Sequence, residues 1–373
     1  MSAPMHILLV AAATSTSGGG ERHVADLLRL LPARGFRVSL VCPPGGDLPV
    51  LARELGIAVR EVPIAGGLRP GAVLALRRAI RELSPDVVHA HGSRAALFAR
   101  MADPHAAERC LYTLHGIHID KAGSSLRRAV FLTLERMLRP RTARFVTVCE
   151  ADLGKGERLG LIDPARTSVV FNGIATPAFA PRGDLRSELG IGEGAPLVLS
   201  VGRFHEQKDQ QTLLRAWARV LDRHADAVLA LVGSGPLEAE LREQAAAHGL
   251  SGSVRFLSPR PDLAPAYTDA NVFVLTSLWE GLPYVVLEAM SHGLPVAATA
   301  VDGIPEAVTD GESGILFPPS DPAAAASAIV ELLDDPARAA AMGEVGRTRV
   351  ADLFSLQAMA DATAAVYRQV THR

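Results

Sequence analysis

Short apolar runs rich in β-branched residues recur along this chain, each separated from the next by enough residues for one helix. In the first half they are Ile7–Ala11, Arg37–Val41, Val59–Val62, Val87–Ala90, Arg109–Leu114 and Arg144–Val148, with amphipathic segments such as Glu21–Leu31, Leu68–Leu83 and Ser124–Leu138 between them. A strand covered on both faces reads as a continuous apolar run, and parallel neighbours need a helical crossover. The rhythm therefore predicts βαβ units on a parallel sheet. It breaks at Pro177–Ala195, where Thr176–Asp184 and Gly190–Gly194 are rich in proline and glycine around a short helix at Leu185–Leu189. It then restarts with Leu197–Val201, Val228–Val232, Val254–Leu257, Val272–Leu275, Val296–Ala298 and Gly314–Phe317, and ends in helices near Ala323–Leu333, Pro336–Ala351 and Leu356–His372. The expected fold is α/β, with two doubly wound domains in tandem joined by a linker at 177–195.

A length of 373 residues also fits two full cores at about 150 residues per domain. A net charge of -2 gives no footprint of a nucleic-acid binder. Cys42, Cys110 and Cys149 are scattered and form no C-x-x-C pair, so neither a zinc site nor a disulfide framework is indicated and a reduced, cytoplasmic compartment fits. The apolar start Met5–Ala13 has no basic residue before it and Gly-rich sequence after it, so it reads as a first strand rather than a signal peptide. No run approaches the roughly 20 apolar residues of a membrane span.

Chemistry is expected at the carboxyl ends of the strands, where open α/β sheets bind ligands. After Val272–Leu275 comes Ser277–Met290, with Glu280 in the strand-end loop and Glu288 one turn into a following helix. Gly281 lets the backbone approach a ligand, Pro283 suits the first helical position, and the helix N-terminus makes an anion site. After Leu197–Val201, Arg203 and Lys208 leave one strand end five positions apart, a planar fork and a mobile charge that together suit a diphosphate. Gly233–Pro236 ends the next strand. In the first half, the loop Thr14–His23 carries Gly18, Gly19 and Gly20 directly after the first strand, although its spacing is not G-x-G-x-x-G. His115 ends another strand, while His89 and His91 at a third read as structural histidines.

Three patterns are missing from the sequence: D-x-D, the P-loop motif and G-x-S-x-G. Without D-x-D, a sugar-nucleotide enzyme that holds its diphosphate through a divalent metal is disfavoured, and Arg203 and Lys208 become the cations available to a leaving diphosphate. Residues 121–141 form a basic amphipathic segment, with Lys121, Arg127, Arg128, Arg136, Arg139 and Arg141 around Leu126, Val130, Phe131, Leu134 and Leu138. It suits either an anionic membrane surface or ordinary packing on the sheet.

Taken together these stretches resemble GT-B glycosyltransferases of family 4. The resemblance rests on Gly18–Arg22, Thr113–Gly116, Asn172–Ile174, Val201–Arg203 with Lys208, Gly233–Pro236, the pair Glu280 and Glu288, Gly303–Glu306 and Gly311–Gly314. It implies an acceptor-binding domain at 1–178, a nucleotide-sugar domain at 195–354 and a helix at 355–373 that packs back on the first. By the same resemblance, Arg203 and Lys208 hold the donor diphosphate and stabilise it as it leaves, and Glu288 binds the ribose hydroxyls. Glu280 and the Gly281, Leu282, Pro283 and Tyr284 turn bind the donor sugar and phosphate, with Gly233 beside them. His115 touches the transferring sugar from the opposite domain, and the loop with Gly19 and Gly20 closes over the phosphates by a hinge at 176–195.

The implied enzyme is a retaining, metal-independent hexosyl- or N-acetylhexosaminyl-transferase using a nucleotide-sugar, UDP in preference to GDP. Its acceptor is a saccharide, a lipid-linked molecule or a small molecule, in cell-envelope, exopolysaccharide or glycolipid synthesis. It is expected in the cytoplasm or on the inner face of the cell membrane, without a metal or other cofactor and without nucleic acid. Asp209 and Ala175 depart from the commonest family pattern, and Tyr284 is bulky beside the expected sugar pocket. The alternatives are a GT-B epimerase or phosphorylase and a non-catalytic sugar-binding protein. A phosphorylase lacks a late lysine, since Lys208 is the last in the chain.

Overall fold

The computed structural model describes residues 3–16, 18–67, 69–117, 124–177, 184–192 and 194–371. Ser17, Leu68, Lys121, residues 178–183, Glu193 and His372, each part of a stretch read above, lie outside them. The chain divides into two compact units, Met1–Gly173 with Leu356–Arg373, and Ile174–Ser355.

The first unit holds seven strands: β1 (His6–Ala11), β2 (Arg37–Cys42), β3 (Ala58–Glu61), β4 (Val87–His91), β5 (Cys110–Leu114), β6 (Arg144–Thr147) and β7 (Thr167–Val169). All pair in parallel, in the order β3-β2-β1-β4-β5-β6-β7. Every residue of β1 is buried because helices cover both faces: Ile7, Leu9 and Ala11 enter one core cluster, Leu8 and Val10 the other. That alternation is the period of two of a pleated strand. The first cluster is completed by Met359, Ala364, Val366, Tyr367 and Val370 from the helix Leu356–Thr371. The last helix therefore packs on the first unit.

The second unit repeats the plan with β8 (Leu197–Val201), β9 (Val228–Val232), β10 (Val254–Leu257), β11 (Val272–Leu275), β12 (Val296–Thr299) and β13 (Gly314–Phe317), parallel in the order β10-β9-β8-β11-β12-β13. Strand order reverses between β1 and β4 in one sheet and between β8 and β11 in the other. Crossovers diverge to opposite faces at such a point and leave a crevice at the strands' carboxyl ends.

Two features differ from the sequence reading. Strand β7 was not expected, since Thr-Ser-Val at a sheet edge is short and only half buried. Part of the Pro- and Gly-rich stretch is docked rather than free. Asp269 Oδ2 accepts the N–H groups of Leu185 and Arg186 at 2.8 and 3.1 Å, and the Arg186 guanidinium bonds the Gly192, Ala195 and Asp269 carbonyls and Asn271.

Candidate active site

In the second unit, β8 runs into Gly202 and Arg203. Arg203 is exposed and forms no ion pair among the described residues, and Gln210 holds its carbonyl at 2.9 Å. Lys208 ends a single 3-10 turn, Glu206–Lys208. Asp209 follows with φ 45°, a left-handed conformation that glycine, asparagine and aspartate tolerate best, which accounts for an aspartate here. Its side chain accepts the Thr212 N–H, and the Thr276 hydroxyl bonds the Lys208 and Asp209 carbonyls, both at 3.0 Å. The end of β11 thereby clamps the turn that carries Lys208.

That clamp brings Lys208 and Glu280 into a direct ion pair, with side chains 15% and 7% exposed. Glu280 Oε1 also accepts from Ser277 Oγ at 2.7 Å, and the Glu280 N–H donates to Asp302 at 2.8 Å. Gln207 donates to the Trp279 carbonyl at 2.9 Å. The helix Tyr284–Ser291 begins one residue later than expected: Pro283, with ψ 122°, is its N-cap rather than its first residue. Leu282, Pro283 and Tyr284 are buried at that entry, and Gly281 accepts a hydrogen bond from Gly303 N–H at 3.1 Å. A helix N-terminus carries the equivalent of about half a positive charge, which favours an anion there.

Glu288 lies one turn into this helix and is half-buried. Tyr267 donates its hydroxyl to Glu288 Oε2 at 2.7 Å, and the Tyr267 ring stacks on His292 at 5.2 Å. Gly233 has a packing role invisible in the sequence, because a Cβ there would lie 2.0 Å from the Gly202 carbonyl oxygen.

In the first unit, Gly18 is the N-cap and Gly19 and Gly20 are the first two residues of the helix Gly19–Leu30. A Cβ on Gly20 would sit 3.2 Å from the His115 ring, so glycine lets this helix approach the end of β5. His115 belongs to a cluster of four imidazoles. Its Nε2 lies 3.2 Å from His91 Nδ1, the His23 ring meets it edge-on at 4.9 Å, and His89 and His91 are 4.0 Å apart. His89 is fixed between the Tyr367 and Thr113 hydroxyls at 2.8 and 2.7 Å, and His23 Nδ1 is 3.2 Å from Asn172 Oδ1. Burial pushes His23 down to about 4 and holds His89, His91 and His115 well below the usual imidazole range, with mutual repulsion adding to it. At neutral pH the cluster is uncharged.

Of the residues singled out in the sequence, Lys208 and Glu280 touch directly and glycine at position 20 leaves room for His115, while Tyr267 holds Glu288 and Gln210 holds Arg203 only through its carbonyl. Tyr267 and Asp302 were not foreseen, and the contacts of His23, Asn172 and Ser277, which lie in stretches read above, follow from the fold of their own unit. Among the described residues no group of three or more His, Cys, Asp or Glu side chains is placed to hold a metal ion.

Comparisons with known proteins bear on the family and the fold. The family described as Glycosyltransferase Family 4 matches residues 17–177, and that described as Glycosyl transferases group 1 matches residues 181–349. The chain is 27% identical over 331 residues to an Escherichia coli UDP-Gal:alpha-D-GlcNAc-diphosphoundecaprenol alpha-1,3-galactosyltransferase, covering 85% of each. It is 29% identical over 389 residues to D-inositol 3-phosphate glycosyltransferase 2 of Catenulispora acidiphila, covering 95% of this chain and 90% of that one. The crystal structure of Anabaena HepE in complex with UDP superposes with a TM-score of 0.83 at 22% identity, over 98% of this chain and 100% of that one, which supports the fold. The two families matched in succession, on two Rossmann-like units, place this chain among the GT-B glycosyltransferases of family 4, enzymes that act on nucleotide-sugar donors.

Proposed function

We propose that this chain is a retaining glycosyltransferase that needs no metal and takes its sugar from a UDP-linked donor. The observation that carries the reading is the end of β8 beside β11, where an exposed arginine that forms no ion pair among the described residues precedes a lysine already paired with Glu280. Arg203 and Lys208 take the diphosphate, and its negative charge competes with Glu280 for Lys208. Glu280, freed toward the sugar, binds hydroxyls together with the turn at Gly281–Tyr284, and Glu288 binds the ribose. On the first unit, His115 and the helix start at Gly19 and Gly20 are the groups proposed to meet sugar and phosphate.

The bond from the anomeric carbon to phosphate breaks and its electron pair stays on the phosphate. The acceptor oxygen attacks the same face, and its proton passes to the departing phosphate oxygen. The protein's part is positioning and charge stabilisation. The preference for UDP is supported by the donor in the E. coli relative's name. To test the reading, UDP-, GDP-, ADP- and TDP-sugars are screened by thermal shift and then by nucleotide release with and without a chelator. Turnover that is lost with the chelator, or stabilisation by GDP-sugars alone, refutes it.

A lipid-linked acceptor is proposed from the helix Ser125–Leu138. Phe131 and Leu132 pack inward, and buried Glu135 pairs with buried Arg100 at 2.9 Å. Leu126, Val130 and Met137 stay 72%, 58% and 71% exposed. At 100° per residue these three fall within about 40° of one another, beside exposed Arg127 and half-buried Arg128. An apolar stripe flanked by arginines fits an anionic bilayer surface. Co-sedimentation with vesicles containing acidic lipid should be lost in Leu126→Asp/Met137→Asp; equal binding by this variant refutes the assignment. Among the described residues no helix is long and apolar enough to cross a membrane.

A further inference from the structure

Four imidazoles at the carboxyl edge of one sheet suggest a metal site first, but no metal-holding group is formed among the described residues. Simple packing leaves one fact unexplained. His91 Nε2 is buried and has no hydrogen-bond partner among the described residues, while its Nδ1 is 3.2 Å from His115 Nε2.

We infer that His91 is a positioning residue: it donates from Nδ1 to His115 Nε2 and thereby fixes His115 as the Nδ1–H tautomer. The argument is a count of protons. Two facing ring nitrogens 3.2 Å apart share one proton, so either His115 donates from Nε2 or His91 donates from Nδ1. In the first case neutral His91 carries its own proton on Nε2, a buried N–H with nothing to accept it. In the second, Nε2 is a bare lone pair. Buried donors without acceptors are rarer and costlier than unfilled acceptors. A doubly protonated His91 again puts an orphan N–H at Nε2, and burial beside His89, His115 and His23 opposes its charge.

The consequence is chemical selectivity at the end of β5. A neutral imidazole has one donor and one acceptor, and His91 uses the acceptor. The nitrogen left to His115 is a donor that forms no hydrogen bond among the described residues. It therefore binds an acceptor oxygen, such as a sugar hydroxyl or a phosphate. The edge-on His23 contact at 4.9 Å holds the ring for this, and glycine at position 20 leaves it the room, since a Cβ there would crowd it. This step rests on the reading of His115 as a sugar contact, whereas the tautomer does not.

The test begins with the unaltered protein, 15N-labelled at its 12 histidines, with His115 assigned by loss of its signals in His115→Gln. Two-bond nitrogen–proton NMR should show His115 protonated on Nδ1 and bare on Nε2; a proton on Nε2 overturns the inference. His91→Leu should give His115 mixed tautomers and lower kcat/KM about ten-fold, the loss of roughly one hydrogen bond. His91→Asn, whose amide nitrogen lies near the Nδ1 position, should restore the tautomer and most of the activity. A tautomer unchanged in His91→Leu also overturns the inference. If the tautomer shifts in His91→Leu but turnover does not, His91 keeps its role and the reading of His115 as a sugar contact fails.

Discussion

Replacing Lys208 by Met tests the ion pair at the centre of the second unit. Removing one partner of a buried pair costs about 3–5 kcal/mol because the other charge is left uncompensated. Here Lys208 keeps some water contact at 15% exposure and Glu280 retains the Ser277 hydroxyl, so about 2–3 kcal/mol is expected. At roughly 2–4 °C per kcal/mol for a unit of this size, Tm falls by about 4–12 °C. Glu280→Gln keeps its shape and should cost only about 1 kcal/mol. The double variant should then be more stable than the sum of the single losses predicts, by about 1–2 kcal/mol. Both tryptophans, Trp217 and Trp279, lie in the second unit and are buried, so intrinsic fluorescence during urea unfolding follows that unit. Adding UDP at 100 times its Kd should stabilise the parent by about 2.7 kcal/mol and Lys208→Met by much less. Losses that add within about 0.5 kcal/mol refute the coupling, and equal stabilisation by UDP refutes the diphosphate role of Lys208.

Tyr267→Phe removes the hydroxyl that orients Glu288 and should weaken nucleotide affinity about five-fold by calorimetry, with Tm little changed; unaltered affinity would separate Glu288 from the ribose. Glu135→Ala strands the buried Arg100 guanidinium and should cost about 3–5 kcal/mol in urea unfolding, while Arg100→Met/Glu135→Leu should recover most of it. His23 is depressed in the folded state to about 4, so the unfolded chain binds its proton first. Stability is full above pH 6.5 and falls by up to about 3 kcal/mol as pH drops toward 4. Amide exchange in β1 against pH measures this, and His23→Asn should flatten the slope.

Most strands were readable because the central ones are covered on both faces and therefore apolar throughout, whereas the short edge strand β7 was not. Arg203, Lys208, Glu280 and Glu288 stood out because a polar residue just past such a run must lie at a strand end. The pairing of Lys208 with Glu280, 72 residues apart, was not readable, because β8 and β11 become neighbours only through the sheet's reversal of order. For the same reason His23, on the helix after β1, gave no sign that it meets His115 after β5. The basic segment at 121–141 read as one apolar stripe, but Phe131 turns inward while Leu126 and Val130 face out. Its inward anchor is a charged residue, Glu135, which no hydrophobic pattern could reveal.

The packing of Leu356–Thr371 into the first core also constrains the order of manufacture. Met359, Val366 and Tyr367 complete a cluster begun by Ile7 and Leu9, and Tyr367 fastens His89. All of Ile174–Ser355 is made in between, which takes roughly 10–40 s at ribosomal rates of about 5–20 residues per second. During that interval the cluster is only partly covered, by residues such as Val24, Leu28, Leu48 and Ala52 from the helices after β1 and β2, while the second unit holds everything its own core requires. The half that is synthesised second can thus fold before the half synthesised first. The waiting apolar face is where chaperone dependence and aggregation in the cell are expected to concentrate.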